Sequence, residues 1–527
     1  MKIIFKIIFF LILILVILIT YLSIFGIETT KFNQKIQSKI REINSNLIVE
    51  LKDVKLTLNP LELNLSIKTI GPKVISENKS LDIQNIETNI SLKSLLNNEF
   101  LIEQVEISTK SIELDNLISF TKSIYQLPEL IILEKLFKIK GYLIADIKLE
   151  FDEIGNLKDN YTVNGFVKET KLKTLKNNNI DKINFFFRIS KEDFIFENIK
   201  LRFKDYILNS EIISVKKNNG DFLVKGNFKN DIVELNEKDL ELLKENIFFN
   251  IDFSKVKFSS KNNFSFKVDK KFKFKDKKII SKIQLHEAKI LNNLNLNSIF
   301  PDIKKEIRLL NNEINLDYKK NFLLINGNGK VLLQKTEDLI SYKFKKDKNR
   351  STFENLLKIK KNPFLIELLN YEKNKDEETI LKINGYKDKN DDIYIKAATL
   401  NEVKNKIGIN DIHFDSNYRL INFGNVNLDY TDKDKQKNLI NIKRKKENYI
   451  LDGIYVNADN LVEKILFKDS DNSFLNKNFN IDIKIENVRL DNEFLLRDFN
   501  GNLYFKKGKL SKGNLNGKFS DNKEMNY

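Results

Sequence analysis

The chain has 527 residues, 41% of them apolar, with 90 Lys and Arg against 73 Asp and Glu for a net charge of +17. That length exceeds one compact core and predicts several domains or one elongated one, while the apolar share excludes wholesale disorder. The absence of Cys excludes disulfides, thiolate catalysis and Cys-ligated metal.

The first predicted element is a membrane span. From Ile3 to Ile27 the chain is almost wholly apolar, interrupted by Lys6, Thr20, Tyr21 and Ser23. About 20 such residues cross the hydrocarbon core. A cleaved signal peptide would carry an apolar region of only about 7–15 residues and a small-residue cleavage site. Here the stretch is longer and ends Leu22-Ser23-Ile24-Phe25-Gly26. Residues 1–27 are therefore expected to be an uncleaved transmembrane signal anchor. Lys2 and Lys6 flank one side and Lys31, Lys35, Lys39 and Arg41 the other, so the positive-inside rule leaves orientation open. Residues 28–46 read as a polar helical connector.

After residue 47 the dominant signal is period-two alternation, the mark of half-buried strands. Leu61, Leu63, Leu65 and Ile67 point one way, with Glu62, Asn64, Ser66 and Lys68 between them. The pattern recurs at Ile86, Thr88, Ile90 and Leu92, at Phe264, Phe266 and Val268, and at Phe272 and Phe274. It returns at Ile314, Leu316 and Tyr318, at Val426 and Leu428, and at Leu503 and Phe505. The fold class expected is mainly β: an elongated, curled antiparallel sheet with a few helices and an N-terminal transmembrane helix. An N-terminal β-groove segment is expected over 47–230, a central β-rich segment over 231–470, and the start of a further β segment over 471–527.

Helical spacing interrupts the strands at 115–137, broken by Pro128, and at 234–247. It does so again at 352–371, broken by Pro363, and at 459–467, where Asp459 suits an N-cap. Seven glycines follow Asn: Gly165, Gly220, Gly327, Gly329, Gly385, Gly501 and Gly517. The plain reading is type I′ hairpin turns, with bulges inside long strands as the other choice. No phosphate-cradling glycine frame occurs.

The lysines are spread along the chain among acidic residues, without an arginine-rich tract or zinc-finger spacing, so no nucleic acid is expected as a partner. His286 and His413 stand alone, and carboxylate pairs such as Asp152-Glu153 and Asp391-Asp392 sit in turn-like clusters. No catalytic site, cofactor or metal is expected. A sheet with one apolar face must cover it with a second sheet, with helices, or by curling around an apolar ligand. The helices look too few for full cover, which favours a groove. Its lining candidates are Leu61, Leu63, Leu65, Ile67, Ile86, Ile90, Leu92, Phe264, Phe266, Val268, Phe272 and Phe274. A closed core, in an envelope scaffold, is the competing expectation.

The anchor followed by Val54-Lys55-Leu56-Thr57-Leu58-Asn59-Pro60-Leu61-Glu62-Leu63 resembles the AsmA-like superfamily of Gram-negative envelope proteins, and within it the long YhdP/TamB-type members. So do Ile86 to Ser94 leading into Leu101 to Ile107, and Lys140 to Ile147 continuing to Val163-Asn164-Gly165. Leu451 to Leu461, and Phe499 to Leu503 running into Gly508, Gly513 and Gly517, complete the likeness. The resemblance covers most of the chain through loose patterns. It implies an inner-membrane anchor, a periplasmic body with a repeating β-groove, phospholipid as the carried partner, envelope proteins as further partners, and no catalytic residues. Because Asn526-Tyr527 falls inside an expected strand, the resemblance also implies a C-terminally truncated chain.

Overall fold

The structure, a computed structural model, describes residues 2–526 apart from 97–101, 125–136, 153–155, 157, 175–178, 219, 247–250, 272, 294, 460–476, 491–493 and 520–523. It is mainly β, with few helices. Two units divide it: Met1–Asp231 with Asn263–Lys277, and Ile232–Asn262 with Lys278–Tyr527.

The first unit begins with the helix Lys2–Ile24, long and apolar enough to cross a membrane. It ends where the N–H groups of Phe25 and Gly26 both donate to the Tyr21 carbonyl. Gly26 then turns the chain at φ +66° into the strand Ile27–Thr29, which pairs antiparallel with Val54–Leu56. A Cβ on Gly26 would sit 2.3 Å from the Leu56 carbonyl oxygen. Gly26→Ala is expected to destabilise this junction by about 1–3 kcal/mol, the range for a strained backbone position. Urea unfolding of the full chain in detergent reads the loss, and an unchanged midpoint would refute so tight a junction.

The expected connector over 28–46 thus opens with a strand, and its helix covers Asn33–Ile43. Phe32 and Ile36 pack on Val54, Ile67 and Ile90, and the Asn33 and Gln37 amides donate to the Lys52 and Val49 carbonyls. From there the antiparallel ladder runs Val54–Asn59, Asn64–Ile70, Lys79–Ser91, Ile102–Thr109, Phe137–Glu150 and Thr162–Thr174. It continues through Asn179–Ile189, Asp193–Phe203 and Tyr206–Asn218 to Asp221–Glu234. Bulges interrupt the register at Val167/Thr170, Asp181/Asn184 and Asn209/Ile213. Asn184 and Asn227 side chains accept the N–H groups of Glu169 and Glu211 freed there. Such bulges bend strands and raise their twist.

Two alternating stretches are shorter than expected. The strand predicted across Leu61 to Ile67 starts only at Asn64, because Pro60 lacks an N–H for the ladder and the Asn59 side chain accepts the Glu62 N–H at 3.3 Å. Leu61 and Leu63 therefore lie in the turn. The strand through Ile86 ends at Ser91, and Leu92 opens the short helix Leu92–Leu96. The helix expected over 115–137 is present as Leu114–Ile124, with the remainder from residue 125 to 136 outside the described residues.

In the second unit the ladder runs in chain order from Phe274–Leu291, which enters at Lys278, to Asn448–Asn457. Asn448–Asn457 and Phe479–Leu490 pair in parallel, and antiparallel order then resumes. The helix Glu237–Asn246 answers the one expected over 234–247, whereas of that expected over 459–467 only Asp459 is among the described residues. The helix expected over 352–371 is a correction. Ser351–Ile359 is a strand between Asp338–Lys346 and Thr379–Lys387, followed by a single 3-10 turn, Glu367–Leu369. Leu357 faces Leu381 in that ladder, and this long-range pairing overrides a local spacing that also fitted a helix.

The Asn-Gly pairs divide between the two expected readings. Gly220, with φ +86°, sits at a hairpin turn, but the other six glycines lie inside strands. Three of these face an aromatic residue across the ladder: Gly165 faces Phe187, Gly327 faces Tyr342 and Gly385 faces Phe353. A Cβ on Gly327 would sit 2.2 Å from the Tyr342 ring, so the missing side chain is the space the ring occupies. Many turns use Asp instead. Asp269, Asp388 and Asp415 each accept N–H groups two and four residues on. The N–H of Lys273, then the Lys275 ammonium, hold the Asp269 carboxyl down at about 2, from an ordinary 3.8. Arg202 lowers Asp181 in the same direction. A depressed folded-state value stabilises above the unfolded one and is lost as pH falls through the folded one. The urea midpoint is therefore expected to fall between pH 3.8 and about 2. Asp269→Asn should remove part of that slope, and an equal slope in the variant would refute the assignment.

Candidate functional site

The strand registers place apolar side chains in rows that cross the sheet. In the first unit one row runs Val54, Thr69, Ile86, Ile107, Ile147, Val163, Ile189, Phe194, Val215 and Val224, each the cross-strand partner of the next. Nine steps of about 4.8 Å make it about 43 Å long. Val54 and Thr69 are buried, whereas every side chain from Ile86 to Val224 is half-buried and keeps part of its surface in water. A second row on the same face passes Ala145, Gly165, Phe187, Phe196, Ile213 and Gly226, where the small residues admit the Phe187 ring over Gly165 and the Phe264 ring over Gly226. The opposite face carries Lys55, Lys68, Glu87, Glu106 and Lys148 in register, with Lys68 and Glu87 paired at 3.1 Å. The floor row is apolar from Ile86 to Val224, whereas the back combines this charged row with a second row in which Ile144, Phe186 and Ile212 are exposed.

The lining candidates divide among several environments. Ile67 and Ile90 are fully buried with Val54 under Phe32 and Ile36, and Leu65, the cross-strand partner of Ile90, is half-buried. Ile86 lies in the floor row beside the helix Leu114–Ile124. Phe264 stacks on Phe228 at 5.5 Å and on Phe266 at 5.9 Å, and Phe266 meets Phe274 at 5.2 Å, so three candidates form one aromatic ladder. Val268 is half-buried, Phe274 is 59% exposed, and Phe272 lies outside the described residues. Leu92 opens its helix half-buried, while Leu61 and Leu63 stand in water at 95% and 65% exposure. The central floor residues Ile147, Val163, Ile189 and Val215 escaped the sequence reading. Their stretches alternate imperfectly, and only cross-strand register brings them into one line.

The second unit is built differently. Its row Leu357, Leu381, Leu400, Ile407, Leu428, Ile440, Gly453, Ile485 and Phe499 also follows the register. Here Leu400, Ile407, Leu428, Ile440 and Ile485 are buried in one cluster with Phe364, Tyr371 and Tyr430. The cover is a plug outside the main sheet, with a two-residue strand pair of its own, Leu365–Ile366 and Tyr371–Glu372. Phe300 packs edge-on to Phe364 at 5.4 Å, the Leu365 N–H donates to the Ile299 carbonyl, and the Tyr430 hydroxyl donates to the Leu369 carbonyl at 2.8 Å. Beneath it the buried Lys373 ammonium donates to the Lys360 and Asn374 carbonyls, and burial pushes its pKa down. Asn362 bridges Thr336 and the Asp338 carboxylate, whose pKa burial pushes up. These polar groups satisfy the plug's backbone, as buried polar groups must be satisfied.

Among the described residues no group of three His, Asp or Glu side chains is placed to hold a metal ion. His286 meets the Ser259 hydroxyl, and His413 meets the Asp392 carboxylate and stacks on Tyr394 at 4.2 Å. No protein-family model, curated protein or solved structure matches the chain. What the fold and the floor define is a mainly β protein with, among the described residues, one helix able to span a membrane and, in its first unit, a register-aligned apolar surface left partly open.

Proposed function

We propose that the chain is a single-pass, inner-membrane-anchored periplasmic protein of the AsmA-like kind, whose apolar floor carries phospholipid acyl chains between the two envelope membranes and so supports outer-membrane biogenesis. No reaction is involved. The half-buried row from Ile86 to Val224 carries this reading. Each acyl CH₂ in water costs about 0.8 kcal/mol, so a sixteen-carbon chain faces roughly 12 kcal/mol on leaving a bilayer. A continuous apolar row removes much of that cost along its length without any nucleophile or base. The test is mass spectrometry of lipid retained by the body after removal of residues 1–26 and gentle extraction. Stoichiometric phospholipid is the expected result, and a lipid-free body would defeat the proposal.

One observation favours a second reading for part of the chain. The plugged row of the second unit is a closed core, as an envelope scaffold would have, and that unit would then support the floor or recruit protein partners. A second unit that retains phospholipid through Leu400 and Ile407 would exclude this division of labour.

A further inference from the structure

Leu61 and Leu63 are the two leucines of the turn between Val54–Asn59 and Asn64–Ile70, and nothing in the sheet covers them. Their place relative to the apolar helix follows from the pairing. Ile27–Thr29 leaves the helix end, and Val54–Asn59 runs antiparallel to it, back along the helix. Leu56 lies opposite Ile27, the Leu56 carbonyl touches Gly26, and this strand packs against the helix itself. Beyond Leu56 the chain continues through Leu58, Asn59 and Pro60 toward the side from which the helix came. The three remaining strand residues, Thr57 to Asn59, carry the tip roughly 10 Å past Ile27, about seven residues of helix rise. The neighbouring strand Lys79–Ser91 ends at the same place, where the Leu92 N–H donates to the Leu63 carbonyl at 2.9 Å.

A second observation points the same way. Leu63 has φ +53°, a left-handed conformation that Gly or Asn adopts far more readily. A leucine held there with 65% of its surface exposed gains little from the protein to offset the strain. Lipid beside the helix would supply the missing contact.

We infer that the tip Pro60–Leu63 inserts Leu61 and Leu63 into the interfacial layer of the bilayer that the helix Lys2–Ile24 spans, pinning the start of the sheet to lipid at a second point. This rests on the anchoring part of the proposed function but not on lipid transport. The chain contains neither Trp nor Cys, so each substitution below gives the full-length protein a sole indole. L61W, L63W, L13W in the helix and N78W at the far end of Lys79–Ser91 are placed in nanodiscs of phosphatidylcholine or of its acyl-brominated form. L61W and L63W are expected to emit at short wavelength and to lose most of their intensity to brominated lipid, as L13W does. N78W should emit as in water and stay bright. Quenching of L13W alone overturns the tip insertion and leaves the anchor standing. Short-wavelength emission at L61W and L63W without quenching means a protein contact, and overturns it too. If L13W is not quenched either, anchor and tip fall together.

Discussion

Aspartate introduced together at Ile147, Ile189 and Val215 is expected to strip the protein of bound phospholipid while the same number of charges on the other face does not. The three positions lie on one cross-strand row, in Phe137–Glu150, Asn179–Ile189 and Tyr206–Asn218. All are half-buried, so a carboxylate there can reach water and the fold tolerates it better than a core charge. An acyl chain lying along the row would lose on the order of 1 kcal/mol of apolar contact at each site, a weakening of on the order of a hundredfold in retention. Thr162→Asp, Asn164→Asp and Ser214→Asp, on the other face of the same ladder, are the charge-matched control. Lipid quantified by mass spectrometry decides the matter. Equal lipid in the floor variant and the parent would mean that the row is a surface feature without a cargo.

Leu400→Ala is expected to cost about 2–5 kcal/mol, and Ile189→Ala about half as much. Leu400 is 3% exposed and sits in the middle of the plugged row, with Leu381 and Ile407 as cross-strand partners and the plug above. Removing its three outer carbons leaves a cavity that the packed cluster cannot fill. Ile189 already borders water, so solvent enters the space it vacates and the cavity term vanishes. Urea unfolding, with hydrogen exchange to assign each transition to its unit, reads the difference. Should Leu400→Ala prove no costlier than Ile189→Ala, the contrast between a closed second unit and an open floor in the first would be lost.

The span of the helix Lys2–Ile24 and the mainly β character were legible because both are local. A run of apolar residues needs no partner to be recognised, and alternation at period two survives wherever one face of a strand meets water. Ser351–Ile359 was misread because Phe353, Leu356 and Leu357 fit either period, and only Leu381 across the ladder settles the choice. For the Asn-Gly pairs the sequence leaves turn and strand interior both open, since the dipeptide suits either. Phe187, Tyr342 and Phe353 on the facing strands decide for the strand interior at Gly165, Gly327 and Gly385. Leu61 and Leu63 matched the strand pattern perfectly and still fell in a turn, since Pro60 interrupts the ladder before them.

The sequence by itself determined that this protein has an apolar helix at its start, a β-rich body and no thiol chemistry. The tertiary structure alone decided which apolar faces join into rows, which rows the connector helix and the plug seal, and which leucines are left in water. The physical reason is range. Alternation records only that each strand has a greasy side, whereas cover depends on register between residues far apart in the chain. Ile147 and Ile189 share a row with Val163 between them because hydrogen-bonded ladders place them there, and no window of sequence contains that information.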